Sequence, residues 1–107
     1  MKQSEARTRL RGLQSWALVN GGKAIRRDFL LMDFVAAVDL IRRIAVRAQS
    51  ADHHPDLHLT GYRKLKVVLT THDAGGLTHK DFRLAAEIEA LPKKLRPDRS
   101  LLNYPRG

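Results

Sequence analysis

The 107-residue chain has no cysteine. That excludes disulfide bridges, thiolate metal sites and a cysteine nucleophile, and it fits a reducing compartment. No apolar run approaches the length of a membrane span. Met1 to Arg11 is polar and charged, with no apolar stretch of signal-peptide length. Together these absences point to a soluble, cytoplasmic protein. Aromatics are scarce, at 6% of the chain, and they do not interleave with the basic residues. The formal net charge of +9 therefore reads as a basic, well-solvated surface. Basic residues occur in every segment, from Arg7 through Arg26, Arg43 and Lys64 to Lys94, and a positive field alone defines no nucleic-acid docking geometry. Gly75-Gly76 lacks the Lys-Ser/Thr of a phosphate loop. There is no internal repeat and no low-complexity segment.

What is present describes one domain, able to bury roughly two-thirds of the surface its unfolded chain exposes. Residues 4 to 14 are helix formers, with Leu10 and Leu13 as apolar points. Trp16-Ala17-Leu18-Val19 reads as a strand, and Asn20-Gly21-Gly22 as a turn, because Asn and Gly accept positive φ. From Ala24 to Leu31, Ile25, Arg27 and Phe29 alternate with Arg26 and Asp28, a second strand that closes a hairpin. Asp33 is placed to cap the longest helix. Phe34, Val38, Ile41, Ala45 and Ala48 follow at helical spacing, widened by Ala37 and Ile44, and read as its core face. This helix ends near Gln49 or Ser50, since Pro55 holds His54 extended.

Leu57, Leu59 and Tyr62 mark a third strand, with Gly61 at its end or in a bulge. Leu65, Val67 and Leu69 mark a fourth, whose period of two puts His72 on the side of Val68 and Thr70. Ala74-Gly75-Gly76 turns the chain. Thr78, with Asp81 three residues on, resembles a capping box. It opens a last helix with Leu84, Ala85, Ile88 and Leu91 on one face, ended by Pro92. The order α-β-β-α-β-β-α predicts an α+β domain: a four-stranded antiparallel sheet with helices packed on one face. It spans residues 1–92, followed by a loose basic tail, 93–107, in which Leu101, Leu102 and Tyr104 are available to pack. Uncovered sheet edges invite a second copy, so a homodimer or homotetramer is expected.

Chemistry concentrates in Asp52-His53-His54-Pro55-Asp56 and in Thr70-Thr71-His72-Asp73, which together hold three of the five histidines. Histidine exchanges protons near neutrality, so this grouping suggests proton-transfer work. A metal site built from His53, His54, His58 and His72 is not expected: adjacent histidines rarely aim at one ion, and the usual ligand spacings are absent. His58 and His79 read as surface residues.

These residues carry a resemblance. Gln49, three residues, His53-His54-Pro55, six residues, Tyr62, nine residues, His72, eight residues and Asp81 is similar to the signature of the pterin-4a-carbinolamine dehydratases, the 4a-hydroxytetrahydrobiopterin dehydratase family. The run from Thr71 through Thr78, Asp33-Phe34 and Trp16 also look like that family, and the likeness covers about residues 10 to 91. Two positions depart from it. Gln49 stands where the family usually has Glu, so a hydrogen bond survives there but a charge does not. Leu57 stands where animal members have Trp.

The resemblance implies a lyase that removes water from a 4a-hydroxytetrahydropterin to give the quinonoid dihydropterin. One acid and one base suffice, with no metal and no cofactor. His53, His54 and His72 would be catalytic: His53 protonating the leaving hydroxyl, His72 taking the ring proton, His54 orienting the oxygen. Pro55, Thr71, Asp73 and Ala74 would line the pterin site, with Gln49 and Asp81 in support. The resemblance also admits a binding protein on the same fold. Relatives include a carboxysome-associated Rubisco assembly factor and a dimerisation cofactor of a transcription activator, and fold alone does not fix function.

Overall fold

A computed structural model of the chain describes residues 1–97. Helix α1 (Gln3–Arg9) runs into a single 3-10 turn at Leu10–Gly12. Of α1 only Ala6 is buried, so this helix docks by one edge, while Leu10 and Leu13, the expected apolar points, pack against the core from beyond its end. Strands β1 (Ala17–Val19) and β2 (Ala24–Leu30) form the first hairpin. Its turn has positive φ at Asn20, Gly21 and Gly22. An added Cβ at Gly22 would also lie 2.7 Å from Gln3 Cγ, so the exposed Gln3 side chain would have to move.

Helix α2 (Phe34–Ala51) starts at Asp33, whose carboxylate accepts the Ala36 N–H at 2.8 Å. Strands β3 (Asp56–Thr60) and β4 (Lys64–Leu69) follow, then helix α3 (His79–Ala90) behind a Thr78/Asp81 capping box. The sheet is antiparallel throughout, in the order β1-β2-β4-β3. The two hairpins meet through β2 and β4, leaving β1 and the strand that leads out of the His-His-Pro segment as edges. Alternation puts Ile25 and Phe29 of β2 and Leu65, Val67 and Leu69 of β4 into the core, where they meet residues of α2 and α3. At the far end of α3, Glu89 Oε1 accepts from Trp16 Nε1 at 2.8 Å and from Arg27 Nε at 2.6 Å. Arg27 also stacks on Phe29, 4.1 Å from the ring centre. This partly buried pair ties α3 to β2.

Three expectations are corrected. The core face of α2 is Ala36, Ala37, Leu40, Ile44 and Ala48, not the Phe34-Val38-Ile41-Ala45 stripe. Phe34 and Val38 are 54% and 45% exposed, and Ile41 lies at the margin of the core. The helix is apolar on two sides, and the side rich in alanine lies on the sheet, where small side chains allow close approach. Tyr62 is not in β3: it sits in the β3–β4 turn with φ 55° and is exposed. The chain beyond Lys93 is not loose as far as Arg96. Lys94 C=O accepts from Met32 N–H, Arg96 N–H donates to Leu30 C=O, both at 2.9 Å, and Leu95 bridges Leu31. Leu101, Leu102 and Tyr104 lie outside the described residues.

Candidate active site

Strand β3 begins at Asp56, opposite Val68 of β4. Residues 53–55, entering β3, and residues 70–72, leaving β4, therefore meet at one end of the sheet. Between them stands the side chain of Asp81, completely buried at 0% exposure. Its Oδ1 lies 2.6 Å from His53 Nε2. Its Oδ2 accepts the Thr71 hydroxyl at 2.8 Å and the Thr78 N–H at 3.0 Å. Thr71 gives its single hydroxyl proton to Asp81, so the Thr78 hydroxyl donates to Thr71 Oγ1, at 2.8 Å. A carboxylate is tolerated here because both its oxygens are bonded.

An ionised carboxylate only accepts, so His53 donates from Nε2 and its Nδ1 is the nitrogen left for other work. The end of α2 sets the position of this ring. Asp52 takes a left-handed conformation (φ 50°), and the His53 N–H returns to the Ala48 carbonyl at 3.1 Å. Placed this way, the His53 side chain is only 10% exposed. The next residue, His54, is exposed and its Nε2 donates to Gln49 Oε1 at 3.1 Å. Gln49 thus holds the bond that a Glu would hold, without the charge. Pro55 is half-buried.

His72 is not on a strand. β4 ends at Leu69, and Thr71 pairs with Gly76 around a 3-10 turn at His72–Ala74, so the period of two does not reach it. Gly75 closes that turn with φ 69°. His72, Asp73 and Ala74 are exposed on it. The Asp81 carboxylate therefore touches His53 and Thr71 directly, while His54 and His72 are each the next residue along the chain. Thr71, expected to line the pterin site, uses its hydroxyl on Asp81.

His53 lines a cavity of about 380 Å³ between the end of α2 and the start of α3, which His54 and His72 do not line. His79 is exposed at its rim. His58 stands apart, exposed on β3 beside Lys64 and Lys66 in a different hollow. Sequence reasoning missed two things. One is the Thr78 hydroxyl, which the capping-box pattern did signal. The other is the cationic wall of the His53 cavity, for which there was no local signal. Among the described residues no group of three His, Asp or Glu is placed to hold a metal ion, and no helix is long and apolar enough to cross a membrane.

The family model described as pterin 4 alpha carbinolamine dehydratase matches residues 1–91. The chain belongs to the pterin-4-alpha-carbinolamine dehydratase family. A relative from Gloeobacter violaceus that carries the provisional name pterin-4-alpha-carbinolamine dehydratase 2 is 42% identical over 90 residues, 82% of this chain and 97% of its own. One from Burkholderia multivorans, with the same provisional family name, is 39% identical over 91% of this chain and 94% of its own. A crystal structure described as a transcriptional coactivator/pterin dehydratase from Brucella melitensis is 34% identical. It superposes with TM-score 0.79, covering 84% of this chain and 95% of that one. A pterin dehydratase-like protein described as a Rubisco assembly factor in the alpha-carboxysome shares the fold alone, at 14% identity and TM-score 0.61 over 71% of this chain and 87% of that one. Within the dehydratase family pattern, the buried Asp81–His53 pair is formed by two of the signature positions quoted above.

Proposed function

We propose that the chain catalyses the loss of water from a 4a-hydroxytetrahydropterin, in the recycling of a tetrahydrobiopterin-type cofactor. The observation that carries this reading is the His53–Asp81 pair, set among the histidines of a chain that belongs to the dehydratase family. In the reaction, the electron pair of the ring nitrogen beside C4a expels the hydroxyl. The departing oxygen takes one proton and becomes water, and the ring loses one proton to give the quinonoid dihydropterin. His53 serves as the acid through Nδ1. Its Nε2–H stays on Asp81 before and after the transfer, so the ring need not turn. His72 takes the ring proton from its exposed turn, and His54, steadied by Gln49, orients the oxygen. Pro55, Thr71, Asp73 and Ala74 border the bound ring. Correctly placed acids and bases each contribute about 10²–10⁴ in rate.

The reading includes self-association. Phe34, Val35 and Val38 form an exposed apolar patch on the first turns of α2, and Val46 is exposed two turns on, past Arg42, with exposures between 45% and 75%. Exposed apolar side chains gathered on one helix side mark an interaction face, and a second copy of the same helix presents the same apolar chemistry. The lack of cysteine supports a cytoplasmic setting. A test follows quinonoid product by absorbance while a carbinolamine is generated in situ, and maps a bound dihydropterin by amide chemical shifts. Product should form faster than in the protein-free control, with shifts confined to residues 53–55 and 71–74. A rate equal to the control, with shifts elsewhere, would instead favour a role in protein assembly on the same fold.

A further inference from the structure

Proton transfer does not account for the cavity beside His53. Arg47 lines it from α2, Lys80 and Arg83 line it from α3, and His79 adds an imidazole at the rim. Glu87 is the one carboxylate in its wall. Among the described residues, Arg47, Lys80 and Arg83 form no ion pair, whereas Arg26, Arg27, Arg42 and Arg43 all do. Lys80 and Arg83 stand in the opening turns of α3, where positive charge opposes the helix dipole, so they do not serve the helix itself. Three unpaired cations around one hollow, against the single carboxylate of Glu87, give it a net positive potential. Arginine offers a forked donor set and lysine a point charge, the pairing that suits a phosphate group. The hollow, about 380 Å³, is of a size that takes a small substituent.

We propose that this hollow binds a phosphate monoester carried on the side chain of the substrate. The pterin ring would sit among His53, His54 and His72, and the side chain would pass His53 into the space between Arg47, Lys80 and Arg83. The inference rests on the dehydratase reading for the position of the ring. It assigns the substrate class that the reading leaves open: a reduced pterin whose side chain is phosphorylated.

The test is a calorimetric titration of the full chain with two ligands, a reduced pterin bearing a hydroxylated side chain and the same pterin as its side-chain phosphate monoester. The monoester should bind tighter by about tenfold or more, as expected for a charge-assisted contact, and the advantage should shrink with added salt. Arg83→Gln and Lys80→Gln should each bring the ratio of the two affinities toward one, with melting temperatures matching the parent because both side chains are exposed. Equal affinities in the parent chain, or an unchanged ratio in both variants, would overturn the proposal. Turnover is measured separately on the same samples. Dehydration without a monoester advantage refutes the phosphate site and leaves the dehydratase reading standing. A monoester advantage without dehydration supports the site and refutes the dehydratase reading.

Discussion

His53 Nε2 lies 2.6 Å from Asp81 Oδ1, and the carboxylate that holds this ring is also the residue that caps α3. One buried side chain therefore joins the end of α2, the exit of β4 and the start of α3. Asp81→Asn keeps the volume but replaces one acceptor oxygen with an NH₂ donor. Its oxygen can still accept from Thr71 and the Thr78 N–H, but its NH₂ then faces His53 Nε2, which must become an acceptor with its proton on Nδ1. All three bonds lose the carboxylate's charge. The loss should be about 1–3 kcal/mol in urea unfolding, and dehydration should slow with it. An unchanged unfolding midpoint would show that the carboxylate does not organise this end of the sheet.

His53 and His54 are neighbours with different structural weight. His53→Ala strips Asp81 Oδ1 of its partner inside the protein and should cost about 1–3 kcal/mol. His54→Ala removes an exposed ring bonded only to exposed Gln49 and should stay within about 0.5 kcal/mol of the parent. Thermal unfolding of the two variants checks this order, and equal losses would contradict it.

Val46 is 61% exposed on the outer face of α2. Val46→Glu leaves the core untouched, so the isolated fold should keep its circular dichroism spectrum. In sedimentation the average mass should drop toward that of one chain. An unchanged assembly, at concentrations where the parent associates, would move the contact to another surface.

Asp39 is held below the ordinary carboxylate value of 3.8 by its hydrogen bond to Arg43 first, and then to Arg42. Its contribution is fully present above 3.8 and is lost as pH falls through the lowered value. Asp39→Asn should therefore lower the melting temperature slightly at neutral pH and converge with the parent in acid, which flattens the acid limb of the curve. A loss as large in acid as at about pH 7 would show that the pairing is not the source.

The strands, the Asp33 cap and the Thr78–Asp81 cap were legible in the sequence because alternation and cap chemistry are local signals. The face of α2 was not. Phe34-Val38-Ile41-Ala45 and Ala37-Leu40-Ile44-Ala48 are both apolar stripes, set about 100° apart around the helix, and periodicity cannot say which one meets the sheet. Tyr62 misled as a strand former, since its place after Gly61 at a tight left-handed turn overrides propensity. His53, His54 and His72 were legible as spacing. That Asp81 would turn one oxygen to His53 while its other served the cap is a tertiary fact, as is the meeting of Arg47 with Lys80 and Arg83 across two helices.

The most direct measurement is single-turnover dehydration of a 4a-carbinolamine by stopped flow, with the parent chain and His72→Ala each in excess. The parent should exceed the spontaneous rate, and His72→Ala should lose about 10² or more of that acceleration at an unchanged melting temperature. A parent rate no faster than the spontaneous one would contradict the account.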